Sequence, residues 1–241
     1  MPISIVNAMK MASVPAGAFM RVSIMRGMPP RFLRWALMLG LFICLGMLVG
    51  LARFWVFGAI LVGAALYLSL AADPTLLQER VRPGGPTIDR RALRAIRICA
   101  AALFVVAISD IALFHWSDTV PASTRAPAML VFAAATALTA RAVVANRFFS
   151  VAVRVQTDRG HQVVSGGPYG VVRHPGYLGM IVAAPAASLA LGSWLALVPA
   201  LGYSALIARR TVLEDRYLCD QLDGYAAYAD RVRFRLIPGV W

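Results

Sequence analysis

Long apolar runs are the feature that most constrains what this chain can fold into. A bilayer core about 30 Å thick takes roughly 20 apolar residues of helix to cross. Four runs of about that length predict single spans at residues 32–50, 54–72, 96–116 and 127–145. Only 15% of the residues are charged, against roughly 25% in an ordinary soluble domain. The chain is therefore predicted to be an integral membrane protein.

A fifth apolar stretch, residues 177–208, is too long for one ordinary span. Pro185, Gly192 and Pro199 interrupt it, and proline and glycine are the strongest breakers of regular structure. We predict two helices that turn near Gly192 and Ser193. Together with the four earlier runs, this stretch predicts an all-α, polytopic membrane helical bundle of about six membrane segments, followed by a cytoplasmic C-terminal helix.

The basic residues are distributed unevenly between the two sides of the predicted bundle. The formal net charge is +13, and all but one of the 24 basic residues are arginines. Only Arg53 and Arg125 fall on one side, which predicts that both termini and the basic loops are cytoplasmic. A nucleic-acid partner would require the bases on one folded domain with interleaved aromatic residues, so none is expected. The arginine-rich, cysteine-poor composition favours a bacterial inner membrane.

Three regions are predicted along the chain. Residues 1–31 form a loose or interfacial leader, residues 32–145 hold four transmembrane helices, and residues 146–241 hold a polar loop, the helical hairpin and a cytoplasmic segment. Residues 75–81 fit either a short interfacial helix or a plain linker. Asp110, near the outer end of the third span, is interpreted as a carboxylate that reaches the membrane interface.

The densest group of glycine, proline and polar residues directly precedes the hairpin. It reads GGPYGVVRHPGYLG from Gly166 to Gly179. Glycine lets a backbone approach a ligand closely, and proline restricts a loop to few conformations. A lone histidine such as His174 is more often a satisfied interfacial residue than a ligand contact, but the whole group indicates a binding site. The three cysteines have no metal-ligand spacing, so no metal is expected.

Three blocks of sequence, in order, resemble the isoprenylcysteine carboxyl methyltransferase family, a branch of integral membrane methyltransferases that also includes phospholipid N-methyltransferases. The blocks are Gln156 with residues 161–164, residues 167–169 with 173–179, and residues 210–215. The resemblance covers roughly residues 146–241, and residues 73–84 also resemble bacterial members of the family, whereas the upstream spans agree only in hydrophobicity.

The resemblance implies a membrane methyltransferase that binds S-adenosyl-L-methionine without a Rossmann domain. The cofactor would lie between the C-terminal segment and the loop before the hairpin, with Glu214 against its positively charged amino group. Arg210 corresponds to the residue that contacts the substrate, and Arg173 is the second candidate catalytic residue. The implied cofactor-binding residues are Gln156, His161, Gln162, Val163, Val164, Tyr169, His174, Pro175, Gly176, Tyr177 and Glu214.

The nature of the methyl acceptor decides which side chains the reaction needs. Transfer from a sulfonium is an in-line displacement, so the protein mainly aligns the reactants and excludes water. A carboxylate acceptor is already nucleophilic and needs only a cation such as Arg210 to orient it. A thiol or amine would need a base, for which His174 or a tyrosine is a candidate.

Carboxyl O-methylation of a lipophilic, isoprenylcysteine-like acceptor is therefore the leading prediction. The alternatives are methylation of a small thiol, an amine or a phospholipid headgroup, and a noncatalytic or transport role. For single residues, simpler interpretations stand beside these. Arg210 and Glu214 have the spacing of an exposed helical ion pair, while Tyr225, Tyr228 and Trp241 are interpreted as interfacial anchors.

Overall fold

The computed structural model describes residues 52–81, 83–85 and 87–241. Within them every regular element is helical and there is no strand, so the all-α prediction is confirmed for this part of the chain. The predicted leader and the first predicted span lie outside the described residues. The total of six membrane segments therefore stays a prediction.

The described residues form seven α-helices, joined by short irregular or single-turn segments. In chain order they are α1 (Ala52–Ala71), α2 (Pro74–Val81), α3 (Arg90–Ser109), α4 (Ala122–Ala145), α5 (Pro175–Leu191), α6 (Leu197–Gln221) and α7 (Tyr225–Arg231). A π-helical turn, Asp110–Phe114, prolongs α3. Single turns of 3-10 helix occur at Thr157–Arg159 and Gly167–Gly170.

Among the described residues, three helices are long and apolar enough to cross a membrane. They are α1, α3 with its π-helical turn, and α4, while α5 is a shorter apolar helix of 17 residues. These helices confirm the predicted integral membrane character. Helix α4 begins at Ala122, whereas the span was predicted to begin at Pro127. The proline lies within the second turn of the helix and does not interrupt it. A proline there removes one intrahelical hydrogen bond but leaves the rest of the helix intact.

The hairpin of α5 and α6 turns where the sequence predicted. Gly192 follows α5 with φ +92°, a left-handed conformation that glycine adopts without a steric penalty. The backbone N–H groups of Gly192 and Ser193 both donate to the carbonyl of Ser188, at 3.1 and 2.9 Å. These bonds satisfy carbonyls that the end of α5 would otherwise leave unpaired.

The backbones of helices α4 and α5 lie close together at two glycines of α5. A Cβ atom at Gly179 would lie 2.3 Å from Thr139 Oγ1 and 2.6 Å from the carbonyl oxygen of Ala135. A Cβ at Gly176 would lie 2.7 Å from the ring of Phe149. The two glycines therefore let the start of the hairpin pack directly on α4 and on the loop that follows it.

The predicted division between the hairpin and a separate C-terminal helix is wrong. Helix α6 runs without a break from Leu197 to Gln221, so the apolar arm of the hairpin and the polar segment from Arg209 form one helix. Pro199 does not interrupt it, because it occupies the first turn, where its missing N–H would have no intrahelical partner. A separate short helix, α7, follows instead.

The segments outside the long helices are as follows. Residues 75–81 belong to helix α2, whose start is capped by Asp73, since its Oδ1 accepts from the Thr75 backbone N–H at 2.7 Å. The polar segment between α4 and α5 is an irregular loop, as predicted. The tail after α7 pairs with the end of this loop, because the N–H groups of Arg173 and His174 donate to the carbonyls of Phe234 and Arg235.

The interpretation of Asp110 as an interfacial carboxylate is wrong. Its side chain is buried, at 1% exposure. One carboxylate oxygen accepts from the Ser117 backbone N–H at 3.0 Å, and the other accepts from the hydroxyls of Ser117 and Ser193. Because Ser193 belongs to the hairpin turn, its hydrogen bond to Asp110 connects the π-helical end of α3 to that turn.

We expect Asp110→Ala to destabilise the fold by about 2 kcal/mol, because it leaves buried hydroxyl and backbone donors without an acceptor. Thermal unfolding of the detergent-purified protein measures the change. Asp118→Ala is the matched control, since that side chain is 75% exposed and forms a surface ion pair with His115. Equal unfolding temperatures for the two variants would contradict the assigned role.

Candidate functional site

A polar pocket lies between the loop that precedes α5, the polar part of α6 and helix α7. Glu214 of α6 and residues of the loop both line this pocket. The pocket brings together nine of the predicted site residues: Gln156, His161, Gln162, Val163, Val164, Tyr169, Arg173, His174 and Glu214. Four others, Pro175, Gly176, Tyr177 and Arg210, are not among its lining residues.

One wall is a tight turn built on Gln156 and His161. The side-chain amide of Gln156 donates to the carbonyl of Phe148 at 2.7 Å, and its backbone N–H donates to His161 Nδ1 at 3.2 Å. Burial, with the nearby charges of Arg154 and Arg159, lowers the pKa of His161 to about 4. The imidazole is therefore neutral near pH 7, with its proton on Nε2 and its ring 4.5 Å from that of Phe148.

The carboxylate of Asp215 is the centre of a buried polar cluster. Arg173 donates to both of its oxygens, at 2.7 and 2.9 Å, and Arg235 donates to one at 2.7 Å. His174 Nε2 and the hydroxyl of Tyr225 lie 3.1 and 3.2 Å from Oδ1. Burial alone would raise the pKa of Asp215, but hydrogen bonds from His174, Arg173 and Arg235 hold it well below its usual range.

The guanidinium of Arg173 forms hydrogen bonds both to α6 and to the C-terminal tail. Besides the two bonds to Asp215, its Nη1 donates to the carbonyls of Val232 and Arg233, each at 2.8 Å. The guanidinium therefore joins α6 to the tail beside the pocket. Its predicted catalytic role remains a prediction, and these contacts favour a positioning role.

Arg210 does not form the exposed pair with Glu214 that their spacing suggested. It is buried at 4% exposure, and its Nη1 donates to Asp89 at 2.8 Å. Its Nε donates to the hydroxyl of Tyr177 at 3.1 Å, and that hydroxyl donates to Glu214 at 2.5 Å. The interpretation was wrong because Arg210 faces the start of α3, where a second carboxylate is buried.

Tyr225 and Tyr228 are not interfacial anchors. Both are buried, at 5% and 1% exposure, and both line the pocket. The hydroxyl of Tyr228 donates to the carbonyl of Tyr169 at 2.7 Å. Gly224, with φ +79°, turns the chain so that α7 folds back on α6. The three-residue spacing of the tyrosines, which places them on one helical face, is the signal that could have indicated burial.

The described fold and pocket define a polytopic membrane protein with a polar, charged site beside a helical hairpin. Residues 126–220 match the model of the isoprenylcysteine carboxyl methyltransferase (ICMT) family. This match, which covers less than half of the chain, shows a similarity to a family of membrane methyltransferases. Helix α7, the tail and Asp89 lie outside the matched segment. No curated protein matches the chain.

We expect Asp215→Asn to destabilise the protein by about 3 kcal/mol or more, because it leaves the buried guanidinium of Arg173 without its counter-charge. Thermal or denaturant unfolding in detergent measures the loss. Asp220→Asn, an exposed carboxylate on the same helix, is the matched control and should change stability by less than about 0.5 kcal/mol. A small effect of Asp215→Asn would contradict the central role of this carboxylate.

The stability difference between the unmodified protein and Asp215→Asn should depend on pH. The pKa of Asp215 is depressed in the folded state, so its contribution is fully present above the unfolded pKa of about 3.9. It is lost as pH falls from that value through the folded pKa, since a protonated Asp215 resembles asparagine. Unfolding midpoints should therefore differ by a constant amount between pH 8 and pH 6 and converge below about pH 4. A difference that persists unchanged at pH 3 would contradict this prediction.

Proposed function

We propose that this protein is an S-adenosyl-L-methionine-dependent membrane methyltransferase that methylates the carboxylate of a lipophilic, isoprenylcysteine-like acceptor. The observation that carries the proposal is that His174, Glu214 and the Gln156–His161 turn all line one pocket. These residues come from separate parts of the sequence. They are also the residues that the family resemblance implies for one nucleoside-containing ligand.

The chemistry of the pocket suits the methyl donor. Glu214 offers a carboxylate to the donor's ammonium group, which is the charge-assisted kind of hydrogen bond. Tyr169, Tyr225 and Phe148 line the pocket with aromatic rings that can cover a nucleoside or face a sulfonium. When bound, S-adenosyl-L-methionine would supply the activated methyl group, while the surrounding side chains orient it and keep water away.

Arg210 suits an acceptor carboxylate. A carboxylate needs no general base, and the guanidinium of Arg210 can orient it through N–H groups beyond those already used. Apolar side chains lie close to this position, because Tyr177, Ile96 and Ile207 form one buried cluster between α3, α5 and α6. We infer that a lipid-tailed acceptor enters from the bilayer between these helices, while the polar donor arrives from water.

We infer that the pocket faces the cytoplasm of a bacterial cell across its inner membrane. The loop, helix α7 and the tail around the pocket carry Arg147, Arg154, Arg231 and Arg233, whereas few basic residues occur in the loops at the other ends of the spans. Basic loops are retained on the cytoplasmic side. The donor would then be drawn from the cytoplasmic pool.

Calorimetric titration with S-adenosyl-L-methionine tests the donor site. We expect the unmodified protein to bind it and Glu214→Gln to bind about tenfold or more weakly, because a hydrogen bond to a charged group contributes roughly 1.5–3 kcal/mol. His174→Ala should also weaken binding, whereas the exposed control Asp220→Asn should not. No binding by the unmodified protein, or unchanged affinity in both site variants, would overturn the assignment.

Transfer of a labelled methyl group to a panel of acceptors tests the reaction. The panel contains N-acetyl-S-farnesylcysteine, a long-chain thiol, a long-chain amine and phosphatidylethanolamine. We expect label on the farnesylcysteine in a form that mild alkali releases as methanol, since only a carboxyl ester is hydrolysed in this way. Alkali-stable label on one of the other acceptors would instead support thioether or amine methylation.

A further inference from the structure

Asp89 immediately precedes α3 but does not act as a helix cap. Aspartate in this position usually accepts a hydrogen bond from a backbone N–H in the first turn. Within the described residues, the side chain of Asp89 makes no such bond. Its Oδ2 accepts from Arg210 Nη1 at 2.8 Å instead, and its Oδ1 accepts from the hydroxyl of Thr87. Both members of the ion pair are buried, with side-chain exposures of 3% and 4%.

This ion pair is the first link of a chain of contacts that ends in the pocket. Arg210 Nε donates to the oxygen of Tyr177 at 3.1 Å, which directs the phenolic proton towards another acceptor. That acceptor is Glu214 Oε2, at 2.5 Å. The order Asp89, Arg210, Tyr177, Glu214 therefore connects the start of α3 to Glu214, which is the one carboxylate among the described residues that line the pocket.

We propose that Asp89 is a positioning residue of the methyltransferase site, which orients Arg210 and, through Arg210 and Tyr177, sets the direction of Glu214. The inference rests on the proposed function. It extends the site beyond the segment that matches the family, to a residue that no motif indicated.

The physical reason lies in the competition between two carboxylates for one buried guanidinium. Glu214 is four residues from Arg210 on α6, which is a spacing at which a helical pair can meet. Asp89 holds the guanidinium away from Glu214 and leaves the hydroxyl of Tyr177 between them. Without the charge of Asp89, Arg210 would turn to Glu214 and draw it out of the pocket.

Titration of Asp89→Asn with S-adenosyl-L-methionine tests the inference without needing the acceptor. Asparagine keeps the shape of the side chain and removes its charge. We expect affinity to fall about five- to tenfold, since Glu214 would be diverted from the donor's ammonium group. Asp110→Asn is the matched control, because it alters a buried aspartate at the opposite end of α3 that is outside this chain of contacts.

A merely structural role for Asp89 predicts a different result. Both variants would then unfold at lower temperature, and both would keep the donor affinity of the unmodified protein, which would overturn the inference. The decisive comparison is Asp89→Asn in a Glu214→Gln background. If Asp89 acts through Glu214, the second substitution adds less than about a twofold loss, whereas independent effects would multiply. Multiplied losses would overturn the inference and leave the donor site intact.

Donor binding by the unmodified protein distinguishes failure of this inference from failure of the proposed function. If it binds the donor and Asp89→Asn binds equally well, only the role of Asp89 fails. If the unmodified protein does not bind the donor at all, the proposed function fails and the positioning role fails with it.

Discussion

The buried carboxylate of Asp215 is the interaction on which the pocket depends. It lies on α6, and its partners come from the start of the hairpin, from α7 and from the tail. A buried carboxylate is stable only when it is paired and hydrogen-bonded. Here that requirement fixes Arg173 and His174 next to α6, and so closes the loop over the pocket.

Apolar packing and charged contacts involve different parts of the same helices. The apolar lengths of α3, α5 and α6 hold the hairpin against the bundle, and Gly176 and Gly179 allow the close packing of α5 on α4. The polar ends of these helices carry the charged groups. Asp89 at the start of α3 and Glu214 on α6 meet through Arg210 and Tyr177, so the packing of the helices also sets the geometry of the site.

The three described spans, the hairpin turn and the polar loop were predictable because each depends on local sequence. Gly192 ends α5 through its own backbone freedom, and an apolar run requires no partner to become a helix in a bilayer. The candidate site residues came from motif resemblance, and most of them line one pocket. Their cofactor roles remain predictions. Apart from the division of α6, the errors concerned Asp110, Arg210 and the two tyrosines of α7, each of which has a partner distant in sequence.

What the sequence by itself determined is the membrane-spanning helical character, the place of the turn and the glycine- and proline-rich loop beside the polar pocket. These follow from hydrophobicity, glycine and proline, which act over a few residues. Only the tertiary structure decided which charges are buried and with whom they pair. Asp89 and Arg210 are 121 positions apart, and no local pattern specifies such a contact. Breaking an ion pair lowers stability strongly only when the pair is buried, and burial results from the packing of all the helices together.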